Sequence, residues 1–519
     1  MSETNTPKKK GKGFWKNYHR WVGLVFSVFI LLFCVSGIIL NHRSFFAGCN
    51  VSRWWLPSDY HVRDWNNGVV RGAFGLPDGR VIAYGAGCWL TDSTFASFTE
   101  LNDGFDYGAD NRKISNVISL PGGRIVAAGS YDIYTLDSAA MSWQKMPVVN
   151  NDERIVDVTS RADTLVLLTR SDLLWAVAPY SSFNKVQIKS PADFSPKVSL
   201  LKTVWWIHSG AIFGTVGRLV VDFLALVLIV LCLTGIVYFV LPYSVKFSNK
   251  KKKQLAERGA DTAAVEASVK RQASLLRFSL KWHNRFGASL IVLTLILSLT
   301  GMCLRPPFMV ALVMKSTNPV PGSTLASSNA FFDKMRGVRF DAQTGKWLLG
   351  TSDGFFSIAS FGSVPAKLNS APGISPMGLN VFAPASDSTW FVGSFSGLTV
   401  WNPLSGDMID YFTNQPPVGQ KGRPVGGHAV TGMVRLNSGN AVFEYGGKPD
   451  EKLPTMPQVL QSVPMSLWNF ALELHVGRCY TPFLGPVSVL FVFLSGLLLS
   501  LVLISGYVIY RRQRPKTKR

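Results

Sequence analysis

The chain has 519 residues, 47% of them apolar, and carries a formal net charge of +22 with a positive mean hydropathy. This balance fits a membrane protein with sizeable soluble parts rather than a soluble enzyme. Segments 1–20, 243–285 and 511–519 hold 23 of the 53 Lys and Arg against only Glu3, Glu257, Asp261 and Glu266. These basic clusters abut apolar runs and have no folded domain of their own, which argues against a nucleic-acid partner and for membrane lipid.

Four apolar runs, near 21–41, 219–241, 286–305 and 484–510, are each long enough to cross a bilayer core. Basic residues flanking spans mark the cytoplasmic side, so both termini and the loop around Lys250–Lys253 are expected inside. The expected order is a basic tail (1–20), span one (21–42), an extracytoplasmic half (43–203), span two with an outer helical extension (204–242) and a basic loop (243–281). Span three (282–308), a second extracytoplasmic half (309–465), span four with its own outer extension (466–510) and a basic tail (511–519) follow. A bacterial-type inner membrane suits this pattern. The apolar core of the first run is too long for a cleaved signal peptide, and Asn41, His42 and Arg43 separate it from the lipoprotein-like Phe46-Ala47-Gly48-Cys49.

The chain is internally duplicated. YHRWVGLVFSVFILLFCVSGIIL (18–40) matches WHNRFGASLIVLTLILSLTGMCL (282–304). Each opens on a histidine (His19, His283), with a glycine four positions on (Gly23, Gly287) and a small-residue pair near its end (Ser36-Gly37, Thr300-Gly301).

The outside halves read as β structure with a shorter repeat. LPDGRVIAYGAGCWLTD (76–92) recurs as LPGGRIVAAGSYDIYTLD (120–137), with looser copies at 161–177, 341–358, 386–401 and 436–447. A polar turn, an alternating strand, a second turn and a second strand, repeated every 40–50 residues, have the period of propeller blades. About three blades per half predict one β-propeller closed from both halves, because three alone leave exposed edges. The fold class expected is therefore a membrane protein of α+β type. It has a four-helix transmembrane bundle from a duplicated unit and an extracytoplasmic β-propeller-like domain built from two halves.

Five of the seven histidines sit at span ends or just beyond. His19 and His283 open spans one and three, His208 and His475 precede spans two and four in WIHSG and ELHVGR, and His42 follows span one. The 11 residues from His208 to Leu219 correspond to about 16 Å of helix, so the helix is expected to run outward past lipid to His208. Ligand-type residues at membrane depth point to function, and two imidazoles on facing helices hold a haem iron from both sides. Two matched pairs, His19 with His283 and His208 with His475, therefore predict two haems. Gly23, Gly287, Gly210 and Gly477 would leave room for a flat macrocycle, and Arg20, Arg285, Arg218 and Arg478 would pair with its propionates. His42, without a counterpart, is either a ligand exchanged with His208 or an interfacial residue. His61 and His428 read as surface or turn histidines.

No C-x-x-C pair marks a zinc or dithiol site; among Cys49, Cys88 and Cys479 a Cys49–Cys88 disulfide would leave one thiol over. No glycine-rich dinucleotide loop follows a strand, so electrons would have to come from membrane quinol or a separate reductase. The spans lack the paired charges and broken helices of a transporter, with Asp222 the lone acid.

The pieces YHRWVG…SG, WIHSG…TG, KWHNRFG…TG and ELHVGR…SG resemble the PepSY-associated transmembrane family, which includes iron-regulated inner-membrane proteins and ferric-siderophore reductases. The resemblance covers the four helices, about a third of the chain. It implies haem b on the span histidines and electron transfer to an extracytoplasmic ferric chelate, or to a protein that carries one, in iron acquisition. The propeller-like halves depart from the small α+β module expected in that family, which leaves the substrate open. The competing reading is a non-redox anchored propeller, a sensor or scaffold that binds a ligand or partner protein.

Overall fold

The computed structural model describes residues 11–148, 153–375, 377–417 and 427–513. Much of both basic tails, at 1–10 and 514–519, lies outside the described residues. The chain divides into two units: a helical one (1–42, 196–326, 471–519) and a sheet one (43–195, 327–470).

In the helical unit, α1 spans Gly11–Asn41, α2 Leu200–Ser209, α3 Gly214–Glu257, α4 Ala263–Ser289 and α5 Ile291–Cys303. α6, Leu467–His475, leads into the unit, and α7 is Ser488–Gln513. Among the described residues three helical stretches are long and apolar enough to cross a membrane: Gly13–Asn41, Ala211–Glu257 and Arg478–Gln513. A fourth is counted if α4 and α5, bent by 70° at their junction, form one span.

Their polarity is inverted relative to a soluble bundle. Trp21, Val25 and Val28 of α1 are 53%, 66% and 58% exposed, whereas Ser27 and Ser36 on the same helix are buried. Lipid tails are as apolar as leucine, so such helices associate through small and hydroxyl residues. Ser298 of α5 donates to the Gly496 carbonyl of α7 at 2.9 Å, and Ser500 to Ser298 at 3.1 Å.

The helices depart from the expected course in three places. α2 does not continue into span two: Gly210 adopts φ 75°, ends the helix, and packs so tightly that a Cβ there would lie 2.1 Å from the Gly217 carbonyl oxygen. α6 likewise ends at His475, and Gly477 at φ 78° turns the chain through short helical turns before α7. These two glycines therefore turn the backbone rather than make room for a macrocycle. The segment expected as a basic loop (243–281) is largely helix, since α3 runs to Glu257 and α4 starts at Ala263.

Among the described residues of the sheet unit, six antiparallel sheets follow one another at residues 70–100, 116–145, 155–186, 335–367, 381–410 and 430–444, beside a short pairing of Asn50–Val51 with Met465–Ser466. Five have four strands in sequential order and the sixth has two. We number them 1 to 6. Each sequence repeat supplies the second and third strands of a sheet, as with Val81–Gly85 and Cys88–Thr91 in sheet 1, save that the last supplies one strand of sheet 6.

Both faces of the strands are buried, because successive side chains alternate between faces. In sheet 2, Val126 and Ala128 pack with Leu165 and Leu167 of sheet 3, while Ile125 and Ala127 pack with Ile82 and Cys88 of sheet 1. Clusters of the same kind join sheet 3 to 4 (Leu168 with Val338), 4 to 5 (Phe355 with Trp401) and 5 to 6 (Val381 with Val430). A further cluster joins sheet 6 to sheet 1, through Phe443 with Val70 and Trp89. Hydrogen bonds follow the same path, from Asn116 to the Val158 carbonyl at 3.0 Å and from Asn380 to the Val430 carbonyl at 2.8 Å. All six cysteines are free thiols: Cys88 is buried in a core cluster and Cys49 is exposed, so the Cys49–Cys88 disulfide is not formed.

Candidate functional site

The helices bring four histidines together as two pairs. The ring centroids of His19 and His283 are 6.0 Å apart, and those of His208 and His475 are 6.1 Å apart. His19 and Ser36, a contact of His475, are 17 residues apart on the unbroken α1, about 26 Å of helix. The pairs thus lie toward opposite ends of that helix.

Each imidazole is held by the same device. His19 Nδ1 contacts the Val502 carbonyl at 3.0 Å and the Ser505 hydroxyl at 3.1 Å. His283 Nδ1 contacts the Leu231 carbonyl at 3.1 Å and the Thr234 hydroxyl at 3.0 Å. His208 Nδ1 contacts the Leu297 carbonyl at 3.0 Å and the Thr300 hydroxyl at 3.2 Å. His475 Nδ1 lies 2.9 Å from the Ser36 hydroxyl, beside the Phe33 carbonyl.

In every case the carbonyl belongs to the residue three before the Ser or Thr. A carbonyl only accepts, so Nδ1 carries the hydrogen, and Nε2 is left as the lone-pair nitrogen of a neutral ring. Metal-binding histidines are commonly oriented by such a bond from the other nitrogen.

The glycine after each hydroxyl residue completes the device. A Cβ on Gly301 would lie 2.7 Å from His208 Cε1, and one on Gly506 2.8 Å from His19 Cε1. At Gly37 the distance to His475 Cε1 would be 3.3 Å, and at Gly235 3.6 Å to that of His283. The SG and TG pairs of the sequence are therefore clamps, the hydroxyl fixing the ring and the glycine admitting it. None of the four has a positive φ; at Gly301, Gly506 and Gly37 the space is needed for the imidazole, whereas at Gly235 a Cβ would make an ordinary contact.

The donor set suits a haem iron. A metal centred between rings 6.0 Å apart lies about 3 Å from each centroid. With roughly 1 Å from centroid to nitrogen, that leaves about 2 Å, a metal–imidazole bond length. Among the described residues no group of three or more His, Cys, Asp or Glu could hold a bare ion. His19, His283, Gly23 and Gly287 line a cavity of about 190 Å³, open to the surroundings, with Arg20 and Lys16 at its wall. A Cβ on Gly23 or Gly287 would meet only a side-chain methyl, at 3.7 Å.

The other expected contacts fare differently. His42 is held by Asp222, at 2.6 Å from Nε2, and Asn41 donates to the other carboxylate oxygen at 2.9 Å. With Nε2 engaged there, Nδ1 is the ring nitrogen of His42 left to act as a donor atom. Arg20 lines the cavity, bonding Tyr243 at 2.8 Å and stacking on Phe239. Arg285 stacks on Trp282 of its own helix, Arg218 is exposed, and Arg478 pairs with Glu473. Arg305, just past α5, was not anticipated: its Nε is buried without a partner among the described residues, within electrostatic reach of Arg478 and Glu473. The signal for it was a lone cation closing the third apolar run.

A family model described as the PepSY-associated TM region matches residues 2–241 and 250–513. The chain belongs to that family. Within the PepSY-associated TM match lie all four paired histidines and all four clamps. No curated protein matches the chain.

Among solved structures, the extracellular domain of the putative one component system BT4673 from B. thetaiotaomicron aligns at 8% identity over 77% of this chain and 44% of its own, with a TM-score of 0.33. That of the putative hybrid two component system BT3049 from the same organism aligns at 9% over 73% and 39%, with a TM-score of 0.32. The N-terminal domain of Nup159 aligns at 12% over 25% and 38%, with a TM-score of 0.19. The chain thus spans less than half of each of these solved chains, and likenesses this slight carry no argument.

Proposed function

We propose that this PepSY-associated TM protein is a di-haem membrane reductase that passes electrons to an extracytoplasmic ferric chelate in iron acquisition. The observation that carries the reading is the clamp repeated four times, which presents two pairs of imidazoles at metal-binding spacing. His19 and His283 would hold the inner haem b and His208 and His475 the outer one, with Arg20 at the wall of the inner cavity. When bound, haem supplies one-electron transfer across a layer that aliphatic side chains do not conduct through. The chain's own residues fix each ring's tautomer and leave Nε2 open.

In this reading both termini and the 243–281 segment are cytoplasmic, in an inner membrane. Membrane quinol or a separate reductase is the electron donor. The six sheets form one propeller, supported by core clusters that link sheet 1 through to sheet 6 and back to sheet 1. This domain would receive the ferric chelate or a protein carrying it, and reduction to Fe(II) weakens the hold of oxygen ligands on the iron.

The test is haem stoichiometry in protein expressed with ample haem, followed by reduction with dithionite and reoxidation by ferric chelates. Two haems per chain are expected, with His19→Ala and His475→Ala each removing about one. Protein without Soret absorbance, or full function with all four histidines replaced, would instead favour the non-redox scaffold.

A further inference from the structure

Four cations share one placement in the sheet unit. Arg71, Lys113, Arg154 and Arg336 stand at or just before the first strands of sheets 1 to 4. Val70-Arg71-Gly72 in sheet 1 is repeated as Met335-Arg336-Gly337 in sheet 4, and in both the strand register slips at the arginine. A β-bulge turns its extra residue out of the regular pleat and re-aims the side chain. Lys113 and Arg154 precede Ile114 and Ile155, whose amides bond the Gly85 and Ser130 carbonyls of the preceding sheet at 2.8 and 2.9 Å. The backbone beneath both cations is thereby fixed.

Arg71, Lys113 and Arg154 lie within reach of one another's charge, while Arg336 feels Arg170 instead. Lys113 experiences the charges of Arg71, Arg154 and Arg43, and Arg154 those of Arg43, Arg170 and Arg71, with Asp110 the one carboxylate opposing them in both cases. The carboxylates nearby are already engaged: Asp110 takes two bonds from Arg43, at 2.7 and 2.5 Å, and Asp333 takes one from Arg170 at 2.5 Å. Arg71 and Lys113 have no side-chain hydrogen bond among the described residues. The Nε atoms of Arg154 and Arg336 are buried and unpartnered, Arg336 being only 8% exposed and spending its Nη1 on the Asp333 and Met335 carbonyls.

Burying a cation without a counter-charge is costly, and here the cost recurs in four successive sheets. Arg71, Lys113 and Arg154 nonetheless keep partial exposure, so a solute can reach them. Guanidinium groups stay protonated and match carboxylate and phosphate oxygens in a two-pronged geometry.

We infer that Arg71, Lys113 and Arg154 form a binding site for a small, multiply charged oxyanion bearing carboxylate or phosphate groups. The site needs only the sheet unit and does not depend on the histidine pairs. The oxyanion supplies the counter-charges that the unit lacks.

The test is calorimetric titration of the full-length protein in detergent with citrate and, separately, with pyrophosphate, at low and high salt. Saturable binding of one or both, weakening with salt, is expected, and which one binds identifies the oxyanion class. Lys113→Met and Arg154→Gln should each weaken binding at least tenfold while raising the melting temperature of the unliganded protein, since each removes an uncompensated charge. That rise also shows that the variants fold. Binding should be the same in haem-free and haem-loaded protein, so absence of haem would sink the reductase and leave this site standing. No binding of either oxyanion at millimolar concentration, or wild-type affinity in both variants, would overturn the inference.

Discussion

Gly301→Ala tests the clamp most sharply, because the same change has opposite expected outcomes at related positions. The added Cβ would sit 2.7 Å from His208 Cε1 and 3.2 Å from its Nδ1, where ordinary contact begins at 3.4 Å. The imidazole must therefore retreat by about 0.7 Å, several times the roughly 0.2 Å tolerance of a metal–ligand bond. Retreat also pulls Nδ1 from the Leu297 carbonyl and Thr300 hydroxyl, a type of outer contact worth about 10–100-fold in metal affinity. At Gly235 the new methyl would meet His283 at 3.6 Å, an ordinary contact, and Gly235→Ala should be tolerated. In a helix interior alanine is favoured over glycine by about 1 kcal/mol, so neither variant should unfold the haem-free protein. Measured by pyridine haemochrome, Gly301→Ala should retain one haem per chain and Gly235→Ala two. Two haems in both variants, or equal loss from both, would refute the steric argument.

Further outcomes follow from the same contacts. Ser505→Ala and Thr300→Val remove the clamp hydroxyls of His19 and His208 and should weaken haem retention about 10–100-fold with no change in far-ultraviolet circular dichroism. In the sheet unit, burial opposes ionisation of Asp110, but the bonds and charge of Arg43 outweigh it and hold the carboxyl below its ordinary value. The stability this pair provides is present above the ordinary carboxylate range and is lost as pH falls through the lowered value, which acid melts read directly. Asp110→Ala leaves Arg43 uncompensated and should cost about 3–5 kcal/mol in denaturant unfolding. Burial, then the charges of Arg71, Arg154 and Arg43, pushes Lys113 well below its ordinary value, opposed only by Asp110. The folded unit thus binds fewer protons than the unfolded chain between those two values, so its stability should rise with pH across that window. Oxyanion binding favours charged Lys113, so affinity should fall as pH climbs past its lowered value, a trend absent in Lys113→Met.

The histidine pairs were legible because the duplication placed His19 and His283 at matching depth, and the six β repeats because each carries two turn-flanked alternating strands. The partner of each ring was not legible. His19 is clamped from residues 502–506 and His475 from residues 33–37, and no local pattern encodes that choice. The SG and TG pairs were visible as motifs, yet their role needed the third dimension. The breaks at Gly210 and Gly477 were misjudged because a glycine beside a histidine reads equally as space or as a turn; the positive φ decides for the turn. Absence of broken helices therefore no longer argues against transport. The first strand of each sheet and the fourth strands of sheets 1 to 5 were missed because they are short or bulged, and so were the cations at the bulges, since a lone arginine in a strand resembles solvent-facing charge.

The clamps are exchanged in a closed pattern. The first and last spans hold one another's histidines, His19 by Ser505 and His475 by Ser36, as do the middle two, His208 by Thr300 and His283 by Thr234. Interchanging the two duplicated portions maps this pattern onto itself, which is the self-complementarity of an isologous contact. A half-length polypeptide meeting its own copy would therefore have assembled both paired sites at once, and fusion into one gene would then have freed the two copies to diverge.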